Sequence, residues 1–187
     1  MKDKSNSASS ASTFSENELV TLAENIKRWG RELGFQQVGI TDTEPGEHSE
    51  HLRRWLDKNL HGEMAYMADR EAFRRDPTTL HENTLRVISL RMDYLPPDVE
   101  TVKLLDHPRT AYLSRYALGR DYHKLIRKRI KQLSDKIIEH AGDRSQRPFV
   151  DSAPVLERAF AEKAGLGWIG KNAMLINSSM GSWFFLG

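Results

Sequence analysis

Cysteine is missing from all 187 residues. That absence excludes disulfides, and it excludes zinc or iron–sulfur clusters held by thiolates of these residues. Long hydrophobic runs are missing as well: none approaches the roughly eighteen apolar residues of a membrane span. The opening MKDKSNSASSAST has charge and serine but no apolar centre, so it does not read as a secretory signal. Excess charge is also lacking. A formal net charge of +2 permits a nucleic-acid partner without requiring one. What remains is a soluble, cytoplasmic, monomeric chain with no membrane association. A disordered serine-rich tail over residues 1–14 is expected to precede one domain over residues 15–187, long enough to bury a core.

The pattern along that domain mixes helices and strands. Ser15-x-x-Glu18 is a capping box, followed by Leu19, Leu22, Ile26, Trp29 and Leu33 at helical spacing, with Gly34 as the stop. Phe35–Thr41 reads as a strand buried through Val38 and Ile40. A helix is expected around Glu50–Leu60, with Leu52, Trp55 and Leu56 inward. Gly62 breaks it before a short amphipathic turn holding Met64, Tyr66 and Met67. Arg74-Arg75-Asp76-Pro77 reads as a charged turn, Leu85–Met92 as a mostly buried strand, and Pro96-Pro97 as an extended or turning link. Tyr112–Ala117 has strand character. Asp121 can cap a long helix from Tyr122 to about His140, with Leu125, Ile130, Leu133 and Ile137 inward. Phe149–Val150 reads as a short strand and Leu156–Ala164 as a helix. Met174–Ile176 is expected to pair with Ser182–Leu186 as a hairpin. Several strand connections are too short for parallel crossovers, so the expected class is α+β, a mixed sheet flanked by helices.

Chemistry concentrates between Phe149 and Lys171, FVDSAPVLERAFAEKAGLGWIGK. An apolar pair stops at one acid, Asp151, and small residues, a proline and a helix follow. That is where mixed folds tend to place chemistry. Gly165, Gly167 and Gly170 would let backbone approach a flat ligand closely. Asp151 has two readings: a helix N-cap, or a general acid whose pKa is raised beside an apolar cofactor. Earlier, Gly119–His123 reads GRDYH. There Asp121 is a cap with Tyr122 and His123 packed in the first turn, or the three line a cavity. The histidines show no pairing with carboxylates at metal-binding spacing. Arg120, Lys124, Arg127, Lys128, Arg129 and Lys131 crowd one helix, a solvated face or a phosphate-binding one. No aromatics interleave with them.

VDSAP, ERxxAEKAGLGWIGK, SRYALGRDYHK, GFQQVGITDT and the closing GSWFFLG together resemble the amino-terminal half of epoxyqueuosine reductases. The likeness runs from about Ile26 through Leu186. It implies a nitroreductase-like cobalamin-binding architecture and an oxidoreductase that completes queuosine in tRNA. Asp151 would be the proton donor, with Asp121, Tyr122 and His123 in the substrate cavity. Arg74, Ser114, Asp151, Arg158, Lys171, Asn172, Leu175 and Leu186 would touch cobalamin, the two leucines through their backbone. No metal ligand is expected from the protein. The resemblance also implies 4Fe-4S clusters in a cysteine-bearing segment beyond Gly187, so the chain reads as truncated before it and inactive alone. Its partners would be tRNA carrying epoxyqueuosine and an external electron donor. Two other classes stay open on the residues: a non-catalytic RNA-binding module, and a flavin enzyme of nitroreductase type. For the latter, GxGxxG at Gly165–Gly170 follows a helix and does not open one, so it is discounted as a phosphate cradle.

Overall fold

The computed structural model describes residues 14–96, 100–142 and 145–187. The expected tail therefore lies outside the described residues except for Phe14, which packs on the core. Pro97 also lies outside them. Helix α1 (Glu16–Glu32) starts at the capping box: Ser15 Oγ accepts from the Glu18 amide and Glu18 Oε2 accepts from the Ser15 amide. It ends before Gly34, whose φ of 89° supplies the left-handed turn into β1 (Gln37–Thr41). Next come α2 (Glu47–Asp57), α3 (Ala65–Asp69), α4 (Glu71–Arg75) and β2 (Val87–Asp93). After them follow α5 (Thr101–Leu105), α6 (Tyr122–Ala141), α7 (Glu157–Lys163), β3 (Trp168–Ile169), β4 (Leu175–Ile176) and β5 (Phe184–Leu186).

The main sheet is antiparallel in the order β1-β2-β5, and β3 pairs with β4 in a second, two-stranded sheet. Val38 stands opposite Leu90, and Gly39 opposite Ser89. One face of the main sheet, through Val38, Leu90 and Met92, packs on Ile26 and Trp29 of α1 and on the inner stripe of α6. The other face meets α7. A Cβ on Gly39 would lie 2.5 Å from the Ala164 carbonyl, so the bare backbone there lets the end of α7 lie directly on the strand. The architecture is α+β, with the small sheets flanked by helices.

Several local expectations change. The inner stripe of α6 is Ile126, Ile130, Leu133 and Ile137; Leu125 is exposed, because it sits five residues from Ile130 and off the stripe's three-and-four spacing. Leu19 is exposed, and Leu85 lies outside β2 and is also exposed. Tyr112–Ala117 forms no strand; it ends in a 3₁₀ turn at Arg115–Ala117, with Leu113 and Tyr116 exposed. Phe149–Val150 is not a strand either, since Pro148 precedes it and Asp151 turns left-handed after it. Ser182–Leu186 does not return onto Met174–Ile176. The backbone of the turn closes through the Asn177–Gly181 bridge, after which β5 joins β2, where Phe185 can reach the main core.

Candidate active site at the start of helix α6

The buried stripe of α6 fixes its amino-terminal end beside the chain that follows Val150. Val150 is fully buried in the main core, so it anchors the next residue in place. Asp151 then takes φ 55°, a conformation that L-residues other than Asn and Asp rarely adopt. Its carboxylate Oδ2 accepts a 2.7 Å hydrogen bond from the Tyr122 hydroxyl and lies 3.4 Å from His123 Nε2. Asp121 Oδ1 accepts from the His123 amide and meets His123 Nδ1, both at 3.0 Å. His123 thus bridges two carboxylates. The Tyr122 ring stacks on Phe185 at 3.9 Å and on His123 at 4.0 Å, which sets its hydroxyl direction. Arg127 reaches back to Ser152 Oγ at 3.2 Å.

Asp151 is not a helix cap. Helix α7 begins at Glu157, with Leu156 in the cap position. Asp121 is one, as expected, and it also takes part in the cluster. Hydrogen bonding from His123 holds the Asp121 carboxyl below its ordinary range. Burial, then the bond to Asp151, pushes the Tyr122 phenol well above its ordinary value, so Tyr122 stays protonated and donates. The Asp151 side chain is 51% exposed, so the expected burial beside an apolar surface does not come from this chain's own atoms.

The cluster borders a cleft of about 470 Å³ lined by Tyr94, Tyr116, Tyr122 and Phe185, with Arg115 and Arg120. Arg115 Nε and Nη2 are buried there without a hydrogen-bond partner. The remaining candidates are dispersed. Ser114 is exposed just before the 3₁₀ turn. Arg158 donates to the Ala173 carbonyl and so ties α7 to the β3–β4 turn. That turn carries exposed Lys171 and exposed Asn172, whose Oδ1 accepts from the Met174 amide. Leu175 is buried, and its carbonyl accepts from the Ser182 hydroxyl. Leu186 lies on the open edge of the main sheet. Leu90 and Gly187 exchange both backbone bonds, so Leu186, opposite Arg91, directs its N–H and C=O away from β2. Arg74 is not a surface turn residue: it lies in the last turn of α4, is buried, and donates to the Tyr66 and Met67 carbonyls at 3.4 Å.

Of the glycines between Phe149 and Lys171, Gly165 has open space where a Cβ would stand, whereas Gly167 is packed closely. A Cβ on Gly167 would stand 2.2 Å from the Ile176 carbonyl, so the close approach is to the chain's own β4. Sequence reading passed over Glu157. Burial, then the Asp151 carboxylate, pushes its pKa up to about 7, against smaller pulls from the Asp151 N–H and Arg158. Its position directly after an apolar leucine, on a helix with Ala159, Phe160 and Ala161 buried, was the available signal. Among the described residues no cluster of three acids or histidines could hold a metal ion. No helix among them is long and apolar enough to cross a membrane.

A family model described as "Epoxyqueuosine reductase QueG, DUF1730" matches residues 74–152. That span contains Arg74, the whole α6 cluster and Asp151. Over that span the chain is similar to the DUF1730 region of epoxyqueuosine reductases. It is 62% identical over 166 residues to the epoxyqueuosine reductase of Pseudomonas aeruginosa, covering 89% of this chain and 46% of that protein. A selenomethionine-labelled epoxyqueuosine reductase superposes with a TM-score of 0.72 at 22% identity, covering 90% of this chain and 44% of that one. A second, solved with an epoxyqueuosine-modified tRNA-Tyr stem loop, gives 0.71 at 22% identity with the same coverage. The chain spans under half the length of the curated relatives it matches.

Proposed function

We propose that this chain is the cobalamin-holding, proton-donating part of an epoxyqueuosine reductase acting on tRNA. The observation that carries the reading is the Asp151 carboxylate, left-handed in backbone, bonded by Tyr122 and bordered by His123 at the edge of an aromatic cleft. The 62% identity to an epoxyqueuosine reductase supplies the substrate. Opening the epoxide and removing its oxygen consumes two electrons and two protons and releases water. Asp151, in its acid form, gives one proton to the departing oxygen, and Tyr122 and His123 hold the carboxyl on target. Solvent supplies the second.

When bound, cobalamin would supply the low-valent cobalt that delivers the electrons. The residues present fit it in part. The outward N–H and C=O of Leu186 and the exposed Ser114 and Lys171 are placed to meet amides of a corrin edge, as is the side-chain NH₂ of Asn172, whose Oδ1 is taken by the Met174 amide. Exposed Trp168 and Met174 add apolar surface on the β3–β4 hairpin. Arg158, Leu175 and Arg74 fit less well, because their groups already bond within the chain. Iron–sulfur clusters do not fit these residues at all, since there is no cysteine. The tRNA partner is supported by a relative's complex with a modified stem loop and by the cations of α6. Of these, Lys124, Arg127, Lys128 and Lys131 are exposed. Arg129 is occupied with the Gly34 carbonyl and Met92 sulfur.

The test is Asp151→Asn in a full-length enzyme carrying this region. Asparagine keeps the size but cannot give a carboxylic proton. Single-turnover reduction of epoxyqueuosine should slow by about 10²–10⁴-fold, with cofactor absorption and melting temperature unchanged. A rate near wild type would overturn the assignment and move the proton source to Tyr122 or Asp121.

A further inference from the structure

Arg115 carries a charge that the fold leaves unanswered. Its Nε and Nη2 are buried without a hydrogen-bond partner, and among the described residues no hydrogen bond or ion pair engages Nη1 either. The guanidinium lies 5.6 Å over the Tyr112 ring, whose hydroxyl is also buried and unpartnered. A ring face attracts a cation but does not satisfy its N–H groups. The surroundings add no free negative charge. Asp93, on the wall of the same cleft of about 470 Å³, already pairs with Arg91 at 3.0 Å, while Arg120 and Arg129 bring more positive charge to the lining. A cation so placed costs stability, and an incoming anion would offset that cost.

Aromatic surface stands beside the charge. Tyr116, the next residue, is 53% exposed and meets the Tyr122 ring edge-on at 6.4 Å, and the Tyr122 hydroxyl bonds Asp151. Exposed Leu113 and Leu118 flank the 3₁₀ turn that carries Arg115 and Tyr116, so little packing resists a swing of the guanidinium toward the rim. An arginine for the phosphate and an open ring for the base are what a single-stranded nucleotide needs.

We propose that Arg115 and Tyr116 form a subsite for the RNA nucleotide adjoining the one that reacts at Asp151. Its phosphodiester takes the guanidinium and its base stacks on Tyr116. The inference rests on the reading of tRNA as substrate, and binding alone tests it, without turnover.

The experiment uses a full-length enzyme carrying this region and an unmodified tRNA-Tyr stem loop, with one neutral methylphosphonate placed in turn at each loop linkage. In wild type, one linkage beside the nucleotide that carries the modification in the substrate should weaken binding about tenfold. Arg115→Gln should lose as much and lower the salt slope by about one unit, and that linkage should then have no further effect. Tyr116→Ala should weaken binding about 5- to 100-fold, whereas Tyr116→Phe keeps the ring and should bind like wild type. Arg115→Met, judged by the same criteria, replaces the glutamine variant if that fails to fold. No sensitive linkage in wild type, a sensitivity that survives without Arg115, or wild-type affinity in Tyr116→Ala each overturns the proposal and leaves tRNA standing as substrate. Loss of cobalamin uptake with RNA binding intact overturns it as well, and moves the anion to the cofactor's own phosphodiester. A wild-type enzyme that ignores the stem loop altogether removes the tRNA reading and this subsite together.

Discussion

Glu157 should make this protein less stable as pH rises from 5 to 8. In the folded chain its carboxyl titrates at about 7, against an ordinary 4.5. Below 4.5 the folded and unfolded chains both hold the proton. Between there and about 7 only the folded chain does, so stability falls with rising pH and levels off above that range. The interval of about 2.5 units, at 1.36 kcal/mol per unit, comes to about 3 kcal/mol across the full window. Asp93, raised by burial, acts with the same sign from a lower starting point. Asp42, Asp121 and Glu18 are held below their ordinary values and act with the opposite sign, in the acid range. Urea unfolding of wild type and Glu157→Gln at pH 5, 6, 7 and 8 isolates the one group, because the other carboxyls cancel in the difference. The wild type should lose about 2–3 kcal/mol relative to the variant over that range. Parallel stability curves would refute the burial argument for Glu157.

Two other perturbations are as direct. Replacing Lys124, Arg127 and Lys131 together with glutamine should weaken tRNA binding and lower the salt slope by up to about three units. Cobalamin uptake should stay intact, and an unchanged slope would assign α6's outer face to plain solvation. Gly167→Ala should destabilise the chain by at least about 1–3 kcal/mol, since its Cβ would meet a backbone carbonyl that no side-chain rotation can clear. Thermal unfolding reads that directly, and a wild-type melting temperature would mean that the β3–β4 hairpin gives way.

Helices with local signals were legible before any coordinates. The capping box at Ser15 and the Asp121 cap place the starts of α1 and α6, because those bonds lie within three residues of each other. The hairpin pairing of β5 was not legible. Its partner, β2, lies about ninety residues earlier, and the choice is made by where Phe185 can be buried. Tyr112–Ala117 read as strand from its aromatic and apolar content, yet the sheet offers that segment no neighbour. In the site, Asp121, Tyr122, His123 and Asp151 were each visible as chemistry-bearing residues. That Tyr122 bonds Asp151 across 29 positions was not, since it follows from Val150 being pinned in the core. Glu157 escaped because a glutamate opening a helix is ordinary, and only burial makes it unusual.

The left-handed backbone at Asp151 narrows what chemistry the position can evolve. Two requirements fall on one residue: an acid at the end of the side chain, and tolerance of φ 55°. Aspartate meets both, asparagine only the second, and glutamate only the first, because its longer chain cannot make the compact local bonds that ease the conformation. An exchange of aspartate for glutamate, conservative in most active sites, would here demand a new loop path as well as a new reach. The carboxylate is thus chosen as much by the torsion beneath it as by the proton it carries.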